Sequence, residues 1–170
     1  MKNKLFLLAF LISGSIFAQQ ATVKEAFLEK WENSKNYLIA VAEAMPEKQY
    51  NFKPTEREMS FQEQLLHIKG NMDWLSTTYF SDKEFDRSEK ASPTTKAEVI
   101  ELLNTGFDHT LEIISASSEE DLATTVEFFA GPKSKLQILN LLLDHVTHHR
   151  GQLIVYLNLN EIKPPRYVGW

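Results

Sequence analysis

The sequence predicts an all-α protein, a bundle of four helices joined by long connections. Apolar residues recur at helical spacing in four separate segments. Three of these segments open with a capping box, in which a Ser or Thr is followed three residues later by Glu or Gln. Glycine and proline number only six each, few for a sandwich or barrel that depends on tight turns. At 170 residues, the chain is long enough to form one domain with a substantial core.

The first helix is predicted from about Thr22 to Met45, and Pro46 ends it because proline cannot continue a helix. A long connection follows. The second helix begins at Ser60, whose capping box is completed by Glu63. Its apolar stripe comprises Phe61, Leu65, Ile68, Met72, Leu75 and Tyr79.

Thr95 and Glu98 form the second capping box, and the third helix is expected to reach about Ser115. Its buried side repeats apolar residues at three- and four-residue intervals. Residues 117–133 carry neither a helical nor a strand pattern, so we expect an irregular connection with no sheet.

Ser134 and Gln137 form the third capping box, which opens a last helix expected to run to about Glu161. Two prolines follow that helix and prevent its continuation. Tyr167 and Trp170, beyond them, are expected to fold back onto the bundle.

Residues 1–18 have the order of a secretory signal peptide: two lysines, an apolar run over 5–17, and the small residue Ala18 before the expected cleavage site. The run is about thirteen residues, shorter than the ~20 that a membrane-spanning helix needs. We therefore expect an exported, periplasmic or extracellular protein, with a mature domain over 19–170 and no stable membrane span after cleavage.

Charge and cysteine content narrow the possible functions. Removal of the leader, with two lysines and no acidic residue, takes the formal net charge from −5 to −7. The sequence shows no basic footprint for a phosphate backbone, so no nucleic-acid partner is expected. The chain has no cysteine, which excludes thiolate metal ligands, thiol nucleophiles and disulfides.

Histidines interrupt the apolar stripe of the last helix. His145 and His149 are four residues apart, so their side chains share one helix face and can bind the same ion. A buried imidazole needs a hydrogen-bond partner or a ligand role, and His67 on the second helix can supply a third nitrogen. The sequence therefore predicts one divalent metal ion on His67, His145 and His149, with positions left open as in catalytic sites.

The other two histidines are weaker candidates. His148 is expected on the polar flank of its helix and is an alternative ligand, whereas His109 is expected at the surface. Val146 stands where the zinc-protease motif His-Glu-x-x-His requires its glutamate, so that class of site is not predicted.

Several polar and aromatic residues are expected near the ion. Glu63 and Asp144 are candidate general bases, with helix capping and solvation as their alternative roles. Gln152 lies on the histidine face and can hydrogen-bond a ligand histidine or a bound water. The predicted pocket-lining residues, for which core packing is the alternative for the two aromatics, are Asn71, Trp74 and Tyr156.

Two neighbours of the histidines have less specific roles. Arg150 is expected either to hold an anionic substrate or to form an ion pair that stabilises the bundle. Gly151 is expected to permit close helix packing.

The residue run from His145 to Gln152 (His-Val-Thr-His-His-Arg-Gly-Gln), the single His67 shortly after Met59-Ser60-Phe61, and the closing Lys163-Pro164-Pro165 resemble the DinB/YfiT-like superfamily. The resemblance implies a four-helix bundle with an unusual helix order and a three-histidine site for nickel or zinc on the same three residues. It also implies a frequent homodimer and metal-dependent thiol transfer.

Two kinds of function follow. The first is a metal-dependent hydrolase or thiol transferase that acts on a small-molecule substrate. The alternative is a non-catalytic metal-binding, stress-response or interaction module. A homodimer is also expected, because a second apolar side of the last helix needs a neighbour; it comprises Leu139, Leu143, Val146, Ile154 and Leu157.

Overall fold

The computed structural model describes residues 21–88 and 91–170. The predicted signal peptide, residues 1–18, lies outside these residues. The all-α class is confirmed: four long helices account for most of the described chain. They are α1 (Val23–Ala44), α2 (Phe61–Phe80), α3 (Lys96–Ala116) and α4 (Lys135–Leu159).

All four helices begin with a complete capping box. The three predicted N-caps, Ser60, Thr95 and Ser134, each accept a hydrogen bond from the backbone amide three residues on. A fourth box, at Thr22, was not predicted; its Glu25 carboxylate accepts from the Thr22 amide at 2.8 Å. Each box satisfies two backbone amides that the helix itself leaves free, which fixes where the helix starts.

The helices do not follow an up-and-down order of neighbours. Both α1 and α2 pack against α3 and α4, so α1 lies diagonally across the bundle from α2, and α3 from α4. The two diagonal steps use the connections 45–60 and 117–134, which are long enough to cross the end of the bundle. As a result, α2 and α4, which carry the three predicted ligands, are direct neighbours.

The prediction of no strand is wrong in one place. Thr125–Val126 (β1) and Lys133–Ser134 (β2) pair as a short antiparallel hairpin. Two residues per strand are too few to produce a detectable alternation of apolar and polar residues. The chain reverses through Gly131, whose positive φ of 88° suits a residue without a Cβ.

The core is rich in aromatic side chains, and its largest fully buried one is Trp31 on α1. The Trp31 indole donates a hydrogen bond to the Phe107 carbonyl at 3.1 Å, and the two rings lie 4.8 Å apart. Tyr167 and Trp170 do return to the bundle, as expected. Tyr167 packs edge-on against Tyr37 and Trp170 lies beside the Lys30 ammonium, although both aromatic residues stay largely exposed.

The second apolar side of the last helix has its neighbour within the chain. Leu139, Val146 and Leu157 are buried, and Leu143 and Ile154 pack against the same core. This side of α4 therefore gives no reason for a second subunit, and the homodimer stays a prediction. Among the described residues, no helix has the length and hydropathy that crossing a membrane requires.

The prediction that Gly151 permits close helix packing is wrong: a Cβ there would meet nothing within 4 Å, and the residue is exposed.

We expect Gly151→Ala to raise the free energy of unfolding by ~0.5–1 kcal/mol, because alanine costs less backbone entropy in a helix. Gly106→Ala is the matched control, since its Cβ would lie 3.2 Å from the Met72 sulfur. Urea unfolding should show a smaller gain there, or a loss; equal gains would contradict this assignment of packing.

Candidate metal centre

Three histidine side chains from two neighbouring helices, α2 and α4, converge on one another. His67 extends from α2, and His145 and His149 lie one turn apart on α4. One ring nitrogen from each residue lies within 4.8 Å of the other two, and the ring centroids are 4.5 to 4.9 Å apart. His149 is buried, His145 is half-buried and His67 is exposed, so the cluster opens to solvent on the His67 side.

The spacing of these nitrogens suits a shared ion. The Nε2 atoms of His67 and His145 are 3.1 Å apart. Two imidazole nitrogens that bind one zinc-like ion at ~2.0–2.1 Å are themselves roughly 3 Å apart. The His145 Nδ1 atom is buried and has no hydrogen-bond partner among the described residues. The three histidines could therefore hold a metal ion.

The site keeps its imidazoles in the neutral form that metal binding requires. Burial, followed by the neighbouring histidines with His149 first, lowers the pKa of His145 to about 3. Burial also lowers the pKa values of His67 and His149 from their ordinary value of 6.5. At neutral pH all three rings are thus unprotonated on at least one nitrogen and can donate a lone pair.

Two glutamines fix the orientation of His149. Its Nδ1 donates to Gln64 Oε1 at 2.5 Å and to Gln152 Oε1 at 2.8 Å. Gln64 Nε2 donates to the Tyr156 hydroxyl at 3.4 Å, and that hydroxyl donates to the Met59 carbonyl at 2.9 Å. Since the Met59 carbonyl can only accept, this chain of bonds turns the Gln64 oxygen toward His149. The proton of His149 is therefore held on Nδ1, and Nε2 is left free for a metal.

The residues predicted to surround the ion differ in their contacts with the histidines. Gln152 contacts a candidate ligand histidine, as expected. Tyr156 is buried, packs edge-on against Phe52 and hydrogen-bonds with Gln64, and it is not among the residues that line the pocket beside the histidines. Gln64 itself was missed, although it stands three residues before His67 on the buried side of α2. A glutamine in that position was the available signal, because a buried amide must find hydrogen-bond partners.

The two candidate bases stand close to the histidines in sequence. Glu63 is one turn before His67 on α2 and lines the same pocket, and Asp144 precedes His145 on α4. The Glu63 carboxylate accepts from the Ser60 amide at 2.6 Å and pairs with Lys53 at 3.0 Å. The Ser60 amide hydrogen bond, followed by the one from Lys53, lowers the pKa of Glu63, which makes its carboxylate a weak proton acceptor. Asp144 is exposed on α4. Glu63 thus caps α2, and the role of general base stays a prediction for both residues.

His148 and His109 are outside the cluster. The His148 ring lies edge-on to His149 with centroids 4.8 Å apart, but the residue is exposed and contributes no nitrogen to the group of three. His109 is half-buried on α3 and not fully at the surface as predicted, and it lines a second pocket that shares Lys69 and Phe85 with the pocket beside His67.

A pocket of about 750 Å³ opens beside the cluster. His67 belongs to its lining, and so do Asn71 and Trp74, two of the residues predicted to line a pocket. The rest of the lining combines apolar residues, the largest of which are Leu66, Phe85 and Phe129, with four charged ones: Glu63, Lys69, Asp73 and Arg87. This volume is in the range of small-molecule sites.

Arg150 points toward α1 and not toward the pocket. Its guanidinium carbon lies 4.7 Å from the centre of the Tyr37 ring, and among the described residues it has no carboxylate partner. The predicted ion pair is therefore wrong. Burial lowers the pKa of Arg150, and its Nη1 is buried without a hydrogen bond, which is costly for a charged group.

We expect Arg150→Met to leave the free energy of unfolding unchanged or to raise it by up to ~1 kcal/mol, because methionine keeps the packing and removes a buried charge. Arg150→Ala, which also removes the packing on Tyr37, should lower it. Urea unfolding of both variants measures the difference. A clear loss in Arg150→Met would mean that the charge itself stabilises the fold.

The sequence profile of the DinB superfamily matches residues 30–153. YjoA of Bacillus subtilis, an uncharacterised protein, is 25% identical over 126 residues, which cover 72% of this chain and 81% of YjoA. Its crystal structure, that of a DinB-like protein, gives a TM-score of 0.68 at 21% identity and covers 84% of this chain and 96% of that one. A DinB-like protein from Bacillus cereus gives 0.71 at 20% identity, with coverages of 85% and 97%. These structures share the fold.

Proposed function

Since this chain belongs to the DinB superfamily, we propose that it is an exported metal-dependent enzyme that binds one divalent ion through His67, His145 and His149. We propose further that it acts on a small molecule as a hydrolase or a thiol transferase. The observation that carries the proposal is the group of three neutral imidazoles, with two ring nitrogens 3.1 Å apart, beside an open pocket.

The residues around the ion would have distinct tasks. A divalent ion held by three imidazoles supplies a Lewis acid that polarises an electrophile or activates a nucleophile at neutral pH. Gln64 and Gln152 keep the proton of His149 on Nδ1, and the buried side of the site limits access by water. The exposed His67 edge and the pocket beside it leave room for substrate.

A catalytic ion has coordination positions that an added ligand can occupy, whereas a metal that only stabilises the fold does not. The mature chain, loaded with Zn²⁺, Ni²⁺ or Co²⁺ and freed of excess ion, should retain one ion per chain. In the Co²⁺ protein the visible spectrum should change when acetohydroxamate, a small chelator, is added. Loss of all ion on dialysis would overturn the metal site, and an unchanged spectrum would favour the non-catalytic role.

Export is supported by the signal-peptide pattern of residues 1–18. Expression of the full chain in a bacterial host should yield a periplasmic protein whose N-terminus is Gln19. A cytoplasmic protein that retains its first residues would contradict this part of the proposal.

The lowered histidine pKa values predict how acid affects the metal-free protein. The pKa values of the three histidines in the folded protein lie below 6.5. Below that pH the unfolded chain therefore binds more protons than the folded protein, and the free energy of unfolding decreases as the pH is lowered. Most carboxylates titrate lower, so between about pH 6.5 and 5 the slope should come largely from histidines. Urea unfolding with a chelator present should show this fall, and His145→Gln should flatten it. An equal slope in the variant would contradict the assignment.

A further inference from the structure

Two aromatic residues, Trp74 and Phe129, line the pocket beside the histidines, and Phe128 packs against both of them. We call these three rings the aromatic wall. The Trp74 ring lies 6.0 Å from Phe128 and 6.3 Å from Phe129, at interplanar angles of 21° and 29°, and the two Phe rings are 4.3 Å apart. Phe128 and Phe129 lie in the turn between β1 and β2, so the small hairpin brings them against α2.

Phe129 is unusual because 83% of its surface is exposed although it stands next to two other aromatic rings. It lines the pocket together with Trp74 and Leu66. A folded chain gains by burying such a ring, and an exposed phenyl group at a pocket wall is typical of a site that a ligand completes. The charges near the wall are mostly paired: Lys69 with Asp73 at 2.5 Å, and Glu63 with Lys53.

The wall stands at a defined distance from the histidines. Asn71 and Trp74 follow His67 by four and seven residues on α2, which corresponds to about 6 and 10 Å along the helix axis. His67, Asn71 and Trp74 all line the same pocket. One molecule of moderate size can therefore reach from the wall to the histidine nitrogens.

We propose that the substrate is an aromatic compound, whose ring packs on Trp74 and Phe129 while its reactive polar group reaches the ion. This inference rests on the proposed metal function and adds the substrate class to it. The Arg87 guanidinium, 5.3 Å from the centre of the Trp74 ring, completes the aromatic end of the pocket with a positive charge. The wall thus selects the substrate, and the three histidines take part in the reaction.

Two hydroxamates test the proposal, because they share the chelating group and differ in the ring. Benzohydroxamate should bind the Zn²⁺-loaded protein at least about tenfold more tightly than acetohydroxamate, measured by calorimetry. Phe129→Ala should reduce this ratio about three- to tenfold, the range of one aromatic contact, with acetohydroxamate affinity and zinc content unchanged. Tyr167→Ala, an exposed aromatic residue on another part of the bundle, should leave the ratio as it is.

A metal-free arm separates this inference from the proposed function. Benzamide, which has the ring but no chelating hydroxamate, should shift the Trp74 indole N–H signal in NMR spectra of the metal-free protein, and Phe129→Ala should abolish the shift. If zinc does not bind but this shift occurs, the metal function fails and the aromatic pocket stands. If zinc binds and the two hydroxamates bind equally well, or if benzamide leaves Trp74 unchanged, the aromatic substrate class is overturned.

Discussion

Replacing His67 by alanine is expected to weaken the binding of one Zn²⁺ ion at least ~100-fold, because loss of even an outer hydrogen-bond partner of a metal ligand costs ~10–100-fold. His67 is the only one of the three histidines on α2, so the variant keeps just the pair on α4. Since His67 is exposed, its removal should leave the metal-free fold nearly as stable as before. The variant therefore isolates metal binding from folding.

Thermal melting gives an independent measurement of the same loss. At a free Zn²⁺ concentration ~100 times Kd, binding should stabilise the wild-type protein by ~2.7 kcal/mol, or roughly 5–10 °C in Tm for a chain of this size. His67→Ala should show almost no rise. His148→Ala is the matched control, because His148 touches His149 but lies outside the cluster; it should behave as wild type. Full zinc stoichiometry in His67→Ala would remove this residue from the ligand set.

Most of the fold was predictable because the signals are local. Helix starts are determined by capping residues such as Ser60, Thr95 and Ser134, whose side chains bond to amides only three residues away. The order of helices around the bundle is not local. The diagonal arrangement of α1 and α2 depends on how the connection 45–60 crosses the bundle, and periodicity alone says nothing about that path.

The three histidines were predictable for a similar reason, and their surroundings were not. The four-residue spacing of His145 and His149 fixes their common face before any packing is known. The roles of Tyr156 and Gln64 depend on the hydrogen bonds of Tyr156 to Gln64 and to the Met59 carbonyl. In both bonds the partners are more than ninety residues apart in sequence. A helix-face argument placed Tyr156 on the histidine side correctly but could not show that its hydroxyl would be used within the protein.

Gln64→Leu is expected to weaken zinc binding ~10- to 100-fold, the usual cost of losing a hydrogen-bond partner behind a metal-ligating histidine. Leucine has a similar volume but cannot accept a hydrogen bond from Nδ1 of the buried His149. Gln152 is then the one acceptor that remains for that N–H group. The Nδ1-protonated tautomer should then be less favoured and the ring less well oriented. Gln64 acts through His149, so it is a positioning residue and not a ligand.

The neighbouring Gln62→Leu is the matched control, since the Gln62 amide donates to the Pro93 carbonyl on the other side of α2 and does not reach the histidines. Zinc affinity measured by competition should fall only in Gln64→Leu. Long-range ¹H–¹⁵N spectra should show a change in the tautomer of His149 in the same variant, which a merely structural loss would not produce. Gln64→Glu keeps an oxygen acceptor for Nδ1 and should retain affinity to within about threefold, as carboxylates commonly fill this role. Equal affinity and an unchanged tautomer in Gln64→Leu would show that Gln152 alone orients His149.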